Sequence, residues 1–181
     1  QEELRAKSIA LSFSQSRDHF YGSLKTLTRN RDRAADLMAL ALTKPRFDAE
    51  AIERMRAANV SRIKSNMTDP EWMAARLMND VAWHGHPYAR NSGGTLTSLA
   101  TLSAEDLRGA VKSRFAKDNL VVAIAGDIEA AEVPALLDRL FGGLPEKATL
   151  PPVPDTTVHG AGTVTVLNRD IPQSVVEILQ P

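Results

Sequence analysis

Residues 47–70, FDAEAIERMRAANVSRIKSNMTDP, decide how this chain is interpreted, because they carry a complete set of helix signals. Asp48 is a residue type that caps helix N-termini, and acidic residues precede basic ones along the segment, the order that a helix dipole favours. Pro70 cannot continue the helix. We therefore predict one long helix between Asp48 and Pro70. Its apolar stripe would consist of Ile52, Met55, Val60, Ile63 and Met67.

On the N-terminal side of this helix, the pattern predicts a β-hairpin and a further helix. Alternating apolar residues over 8–16 and 20–27 are typical of two half-buried strands, and Arg17–Asp18 would form the turn between them. Residues 30–43 repeat apolar side chains at helical spacing, and Pro45 ends that helix.

On the C-terminal side, helices alternate with apolar runs that are typical of strands. The predicted helices cover 71–83, 103–115 and 130–140. Residues 119–125, NLVVAIA, predict a buried central strand, and 163–167 and 175–179 predict further strands. The sequence therefore indicates an α+β fold, with a mixed β-sheet and helices packed mainly on one face.

Composition limits the classes of function. Lysine plus arginine and aspartate plus glutamate both number 22, which argues against a nucleic-acid partner or an anionic membrane surface. There is no cysteine, so neither a disulfide framework nor a thiolate zinc site is available. No apolar run approaches the roughly 20 residues that a membrane helix needs, so we expect no membrane insertion. Since the sequence opens on Gln1 and ends on Pro181 within an extended run, we expect both ends to be cuts through a longer protein.

The segment 47–63 resembles the helix that supplies the third zinc ligand in the pitrilysin/insulinase-type metallopeptidases, the group that includes mitochondrial processing peptidase. In active members this helix follows roughly the pattern F-x-x-E-x-I-E-x-E-R-x-x-V-x-x-E-I. The matching residues are Phe47, Glu50, Ile52, Glu53, Arg56 and Ile63.

Three further stretches match the family in the same order along the chain. They are HGHPYARNSGGTLTSLATLSAEDL (84–107), DNLVVAIAGDI (118–128) and IPQSVVEILQP (171–181). The resemblance spans nearly the whole chain and implies a processing-peptidase-like half-domain, the N-terminal half of such a protein without its H-x-x-E-H segment.

The two functional glutamates of the family fall on Met55 and Arg62 of this sequence. These positions are seven residues apart and share one helix face. A carboxylate binds zinc through an anionic oxygen, whereas arginine stays protonated and has no lone pair to give. We therefore predict that this chain has no catalytic residue, no metal ligand and no cofactor, zinc being the cofactor of the active members. We expect Arg62 to be accessible or to line a cleft, and Met55 to pack in the core.

The histidines do not supply a replacement site. The H-x-x-E-H motif, whose histidines bind zinc and whose glutamate activates water, would lie before Gln1. His84 and His86 lie in a Gly/Pro turn and fit a loop or helix-end role better than a metal role. For His19 and His159 we expect surface or packing roles. Ser16 and Asp18 flank His19, but proximity along a strand is not the geometry of a catalytic triad.

Four residues are predicted to serve structure alone. Gly94 would provide turn geometry in the loop after His86, and Gly126 would provide backbone geometry after a strand, since no G-x-G-x-x-G pattern accompanies it. Asp127 would begin a helix, and Asn119 opens the N-x-x-L-x-x-x-G-D stretch.

We predict three sections of chain: a truncated N-terminal peptidase-like domain at 1–145, a Gly/Pro-rich linker at 146–162, and strands at 163–181 that lead into a second, similar domain.

The resemblance implies a non-catalytic, peptidase-like subunit that helps to form a peptide-binding chamber. An active zinc peptidase subunit, or a second copy of the domain, would be its partner, and a peptide its ligand. One alternative is an active zinc metalloendopeptidase with its motif upstream; for it, Glu53 and Glu71 are the nearest substitute carboxylates. Another is an assembly domain that binds no peptide. A bacterial periplasmic or envelope location is expected from the habit of the family.

Overall fold

The structure is a computed structural model that describes residues 2–180. Within these residues it contains seven α-helices and one two-stranded antiparallel sheet. The strands are β1 (Ala10–Gln15) and β2 (Phe20–Lys25). The helices are α1 (Glu2–Ala6), α2 (Arg31–Thr43), α3 (Ala49–Asn66), α4 (Pro70–Ala82), α5 (Leu96–Thr101), α6 (Ala104–Arg114) and α7 (Val133–Phe141). The predicted α+β class is confirmed.

The predicted long helix forms as α3, with Asp48 at its N-cap. Pro70 does not merely end a helix; it occupies the first position of α4, where its missing N–H costs no hydrogen bond. The carboxylate of Asp69 caps α4 by accepting from the backbone N–H groups of Glu71 (2.9 Å) and Trp72 (3.4 Å). The short helix α5 precedes α6 and is not among the helices that the sequence predicts.

By internal contacts the chain divides into two compact units, each built from two stretches of sequence. Unit 1 contains the residues up to Phe47 together with Ser103–Leu150, and unit 2 contains Asp48–Leu102 together with the residues from Pro151 onward. The boundaries 1–145, 146–162 and 163–181 stay predictions.

Unit 1 is built around α2 and α7. Its buried cluster brings three side chains of α2 together with the end of α7 and the turn that follows it, and the hairpin leucines Leu11 and Leu24 pack against it. Strands β1 and β2 pair with Leu11 opposite Leu24 and Phe13 opposite Gly22. The cluster consists of Ala35, Met38, Leu42, Leu140, Phe141 and Leu144.

Gly22 allows the hairpin to approach α2 closely. A Cβ at this position would lie 3.0 Å from Cε of Met38 and 3.2 Å from Cε1 of Phe13. The aromatic side chains of Phe13 and Phe20 lie on this same face of the hairpin, and both are exposed. Phe20 stacks on Phe13 at 5.5 Å between ring centroids and also contacts Phe115 at 4.8 Å.

Unit 2 is built around α3, α4 and α5. Ile63 of α3, Ala82 of α4 and Leu99 of α5 are its buried apolar residues. The segment after Pro151 attaches to this unit through backbone bonds: the N–H of His159 donates to the carbonyl of Ala82 at 2.9 Å. Among residues 2–180, no helix combines the length and the apolar character that crossing a bilayer requires.

The prediction of a buried central strand at 119–125 is wrong. Residues 120–125 belong to no helix and no sheet, and the side chain of Val121 is 95% exposed. Apolar composition makes a segment able to pair, but a strand forms only where a second strand accepts its backbone hydrogen bonds, and residues 2–180 provide none at this place. The predicted strands at 163–167 and 175–179 are likewise not paired, and Val164 and Ile178 are mostly exposed.

Candidate functional site

The two positions that the family resemblance singles out lie on one exposed face of α3. Both Met55 and Arg62 are exposed, and Asn59 lies between them. The amide nitrogen Nδ2 of Asn59 donates to the backbone carbonyl of Met55 at 3.0 Å. Its oxygen Oδ1 accepts from Nη2 of Arg62 at 3.1 Å. The asparagine therefore orients the arginine and leaves the rest of the guanidinium open to solvent.

Met55 lies on the surface, with 58% of its area exposed, so the expectation that it packs in the core is wrong. Helix α3 turns Ile63, only 4% exposed, toward the core of unit 2. Met55 is eight residues before Ile63, a little more than two turns, which rotates it away from the buried line. A thioether there offers solvent a flexible apolar surface. Arg62 is accessible, as expected.

Arg62 also fixes the loop beside α3. The backbone of Gly93 adopts a φ of +89°, in the left-handed region, and a Cβ added there would collide with Nη2 of Arg62. The guanidinium therefore lies directly against a bare glycine backbone. The arginine, the asparagine and the loop form one continuous polar surface, which we call the Arg62 surface (Asn59, Arg62 and Gly93).

The nearby carboxylate that matches the family pattern is already engaged. Glu53 pairs with Nε of Arg56 at 3.2 Å. Nη2 of Arg56 donates to the backbone carbonyl of Leu102 at 2.8 Å, and its Nη1 is buried without a hydrogen-bond partner. Glu53 thus holds an arginine that ties α3 to the end of α5. Glu71, the other alternative, lies in the first turn of α4.

The residues of this chain do not fit zinc. Within residues 2–180, no three histidine, cysteine or acidic side chains come together in a way that could hold a metal ion. At the family ligand position, the fixed positive charge of Arg62 would repel a dication, and its neighbours Asn59 and Gly93 supply no anionic oxygen. These residues therefore support no reaction step that uses a metal ion.

The histidines have contacts of their own that do not involve Arg62. His86 is 7% exposed and caps the short 3-10 turn Pro87–Ala89. Its Nδ1 accepts from the N–H of Tyr88 at 3.2 Å, which leaves Nε2 to donate to the carbonyl of Pro154 at 2.9 Å. Both ring nitrogens are therefore occupied, and the imidazole fastens the 151–180 segment to the body of unit 2.

Unlike His86, two of the other histidines are exposed, and neither forms part of a site. His84 is exposed in the turn after α4, and His19 lies at the hairpin end with its ring 6.0 Å from that of Tyr21. The hydroxyl of Ser16 accepts from the backbone N–H of His19 at 3.2 Å, so it faces the backbone rather than the ring. The geometry of a triad is absent from Ser16, Asp18 and His19.

The four residues predicted to be structural lie in loops. Gly94 has a φ of +83°, and its carbonyl accepts from Nδ2 of Asn91 at 2.7 Å. Asn119 closes the end of α6 by donating to the carbonyl of Arg114 at 2.8 Å. Gly126 has a φ of +142°. Asp127 accepts from the hydroxyl of Thr28 at 3.2 Å; the N-cap of the following 3-10 turn is Glu129, two residues beyond the position expected.

Three arginine–carboxylate pairs with two hydrogen bonds each lie on the surface of unit 1. Nε of Arg139 donates to Oδ1 of Asp36 at 2.6 Å, and Nη2 donates to Oδ2 at 2.9 Å. This hydrogen bonding lowers the pKa of the Asp36 carboxyl, and similar bonds lower the pKa of two glutamates. The glutamates and their partners are Glu132 with Arg31 and Glu3 with Arg33. These pairs join helices and do not form a reactive centre.

Comparison with known proteins shows which family and which relatives this chain is similar to. The family described as "Peptidase M16 inactive domain" matches residues 101–181. An uncharacterized zinc protease of Mycobacterium leprae is 24% identical over 162 residues, which cover 88% of this chain and 36% of the protease. The probable mitochondrial-processing peptidase subunit beta of Schizosaccharomyces pombe is 29% identical over 119 residues, or 64% of this chain and 25% of that subunit.

Cytochrome b-c1 complex subunit 1 of Bos taurus is 22% identical over 144 residues, or 80% of this chain and 30% of that subunit. The chain thus spans about a third of the length of these relatives or less.

Solved structures share the fold. A peptidase M16 inactive domain from Pseudomonas fluorescens superposes with a TM-score of 0.79 at 21% identity, over 84% of this chain and 38% of that one. A protease from Helicobacter pylori gives a TM-score of 0.71 at 17% identity, over 87% of this chain and 38% of that one. The family motifs, the domain match over residues 101–181 and the curated relatives agree that this chain is similar to the M16 peptidases and their homologues, the group of the mitochondrial processing peptidases.

Proposed function

We propose that this chain is part of a non-catalytic, peptidase-like subunit that lines a peptide-binding chamber together with an active zinc peptidase. The observation that carries the proposal is the exposed guanidinium of Arg62 at the position where active relatives have a metal-binding glutamate. A protonated guanidinium cannot ligate zinc. It can, however, donate hydrogen bonds in a planar fork, the geometry that recognises carboxylates and carbonyl oxygens.

The relatives support a role within an assembly. One is named as a subunit of a mitochondrial-processing peptidase and another as a subunit of the cytochrome b-c1 complex. For the present chain, the partner would be an active zinc peptidase subunit or a second copy of the domain, in a heterodimer or a pseudo-dimer. We place the assembly in the bacterial periplasm or envelope.

The first test is the zinc content of the purified full-length protein. We expect no stoichiometric zinc by elemental analysis and no chelator-sensitive peptidase activity from the protein alone. One tightly held zinc per chain, together with such activity, would contradict the proposal and favour an active metalloendopeptidase whose H-x-x-E-H motif lies upstream.

The second test uses a matched pair of variants in the presence of the active partner. Arg62→Gln removes the charge from the Arg62 surface, and Arg54→Gln removes one from the same helix at a side chain that is 67% exposed and pairs only with Glu50. We expect Arg62→Gln to raise the KM of the partner for peptide substrates with little change in kcat, and Arg54→Gln to change neither. Equal effects of the two substitutions would show that Arg62 does not face the peptide.

A second candidate function is assembly without peptide binding. The similarity to a cytochrome b-c1 complex subunit favours it. This candidate expects no measurable affinity for a mixed peptide library, whether the protein is alone or with its partner. Titration of such a library by calorimetry therefore separates the two candidates.

A further inference from the structure

Unit 2 contains a cavity of about 470 Å³, and none of the residues that line it belongs to the Arg62 surface. Its walls are formed by Arg76 of α4, by the loop that follows α4, and by the beginning of α5. Gly85, His86 and Ala89 line one side. Arg90, Asn91, Gly94, Thr95 and Ser98 complete the lining.

The lining carries two positive charges and no carboxylate. Arg76 is held in place, since its Nη1 donates to the carbonyl of Ala89 and its Nη2 pairs with Asp80, which lies outside the lining. Arg90 differs from it: the residue is exposed, and its guanidinium has no acidic partner within residues 2–180. The net charge at the cavity, with Asp80 counted, is therefore positive, and Arg90 supplies it.

The neutral polar groups of the lining are already hydrogen-bonded. His86 uses both ring nitrogens, and the amide of Asn91 donates to the carbonyl of Gly94. The hydroxyls of Thr95 and Ser98 form the capping box of α5, with Ser98 N–H donating to Oγ1 of Thr95 at 3.1 Å. The side-chain hydrogen-bond donors that remain in the cavity lining thus belong to the guanidiniums of Arg76 and Arg90, and guanidinium donors select an oxyanion as their ligand.

We propose that this cavity binds the carboxylate of a peptide, with Arg90 as the recognising residue and Arg76 as a fixed second cation. A volume near 470 Å³ lies in the range of sites that hold small organic ligands and far exceeds what one inorganic ion fills. A carboxylate on a short peptide segment meets both the charge and the size of the site. The proposal does not rest on a zinc-bearing partner, so it can fail or succeed separately from the proposed function.

The test is calorimetric or NMR titration of the purified protein with three acetylated peptides. Ac-Ala-Glu-Ala-NH₂ carries a side-chain carboxylate, Ac-Ala-Ala-Ala-OH carries a terminal one, and Ac-Ala-Gln-Ala-NH₂ carries none. We expect one or both acidic peptides to bind, the neutral peptide to bind at least about fivefold more weakly, and added salt to weaken the acidic peptides. Which acidic peptide binds more tightly identifies the source of the carboxylate.

Two variants assign the binding to the cavity. Arg90→Gln should weaken the acidic peptide about five- to tenfold without changing the thermal unfolding temperature, because the side chain has no ion pair to lose. Arg54→Gln, the matched loss of an exposed charge on α3, should leave binding within twofold. Equal binding of the glutamate and glutamine peptides, an Arg90→Gln variant that binds like the parent, or binding of inorganic phosphate but of neither acidic peptide would overturn the proposal.

Discussion

At the scale of single residues, Arg62 and Gly93 depend on each other. The guanidinium lies where a Cβ of residue 93 would be, and the loop backbone is in a conformation that side chains disfavour. Asn59 holds the arginine in that position. The replacement of an acid by a base at position 62 therefore affects more than metal binding, because the arginine also occupies the space beside the bare backbone of Gly93.

Gly93→Ala should destabilise the protein by about 1–2 kcal/mol, since a left-handed φ of +89° costs an L-residue roughly that much and Arg62 must move. Gly109→Ala is the matched control. Gly109 lies inside α6 with open space at its Cβ position, so the added methyl should stabilise by about 0.5–1 kcal/mol. Chemical denaturation measures both values. Two substitutions with the same sign would contradict the assignment of the loop conformation.

Sequence reasoning was accurate for Arg62 and inaccurate for Met55, although both lie on the same helix. A charged side chain is expected at a surface whatever covers its neighbours, so the exposure of Arg62 follows from its chemistry. The position of a methionine depends on which elements pack over the helix. In α3 the buried line follows Ile63, and Met55 lies outside it. The sequence does not predict that Arg76 and Arg90 line one cavity, because residue spacing does not reveal which loop packs beside which helix.

At the scale of elements, helix ends were the most predictable features. Ser103 and Asp106 form a reciprocal cap at the start of α6: the N–H of Asp106 donates to Oγ of Ser103 at 3.1 Å, and the N–H of Ser103 donates to Oδ2 of Asp106 at 2.8 Å. The Ser103 hydroxyl also donates to Oδ2 of Asp106 at 2.6 Å, and this bond, together with the one from the Ser103 backbone N–H, lowers the pKa of the Asp106 carboxyl. The sequence S-A-E-D at residues 103–106 is close to the capping-box pattern, so this cap follows from a motif that is entirely local.

Ser103→Ala should cost about 1 kcal/mol of unfolding free energy, because one backbone N–H at the start of α6 loses its acceptor. Ser113→Ala, near the end of the same helix, removes only a hydroxyl that donates to the carbonyl of Ala110 and should change stability by less than about 0.5 kcal/mol. Denaturant midpoints of the two variants provide the comparison. A Ser103→Ala variant as stable as Ser113→Ala would show that the cap contributes nothing.

The contact between α2 and α7 should depend on pH through Asp36. Arg139 lowers the folded-state pKa of this carboxyl below the ordinary aspartate value of about 3.9. The stabilisation that the ion pair gives to the folded state is therefore complete above the ordinary aspartate pKa. It is lost as the pH falls through the lower pKa of the folded state. We expect Asp36→Asn to be less stable than the parent at pH 7 and to approach it as the pH falls through the lowered pKa of Asp36.

Asp138→Asn is the control for this titration. Asp138 lies on α7 next to Arg139, is exposed, and shows no comparable bond. The Asp138→Asn substitution removes one negative charge but keeps the ion pair between Asp36 and Arg139. The difference in stability between this variant and the parent should therefore be small at every pH. Thermal unfolding between pH 2.5 and 7 measures both variants. A pH-independent gap for Asp36→Asn would mean that packing, not charge, accounts for its effect.

At the scale of the whole molecule, stability should come from buried contacts within each unit rather than from the surface ion pairs. Leu140→Ala removes a side chain that is 7% exposed in the core of unit 1 and should cost about 2–4 kcal/mol. Leu40→Ala makes the same change on α2 at a side chain that is 48% exposed and should cost less than about 1 kcal/mol. Equal costs in urea denaturation would contradict the core as described.

The hairpin and most helices were predictable, whereas the assembly of the sheet was not. Hydrophobic periodicity and caps are local signals, and they placed β1, β2, α2, α3, α4 and α6 within a few residues. Pairing is non-local. Residues 119–125 have every local property of a strand, but whether they form one depends on a second segment with free backbone groups, which composition alone does not reveal.

The exposed stretch around Val121 makes the isolated chain prone to self-recognition. Its backbone joins no sheet within residues 2–180, and identical apolar stretches from several molecules can stack in register into a cross-β fibril. Thioflavin fluorescence should accordingly rise after a lag that shortens with protein concentration. Val121→Lys should lengthen that lag without changing the unfolding midpoint, since a charge at this position opposes stacking and the side chain is already in solvent.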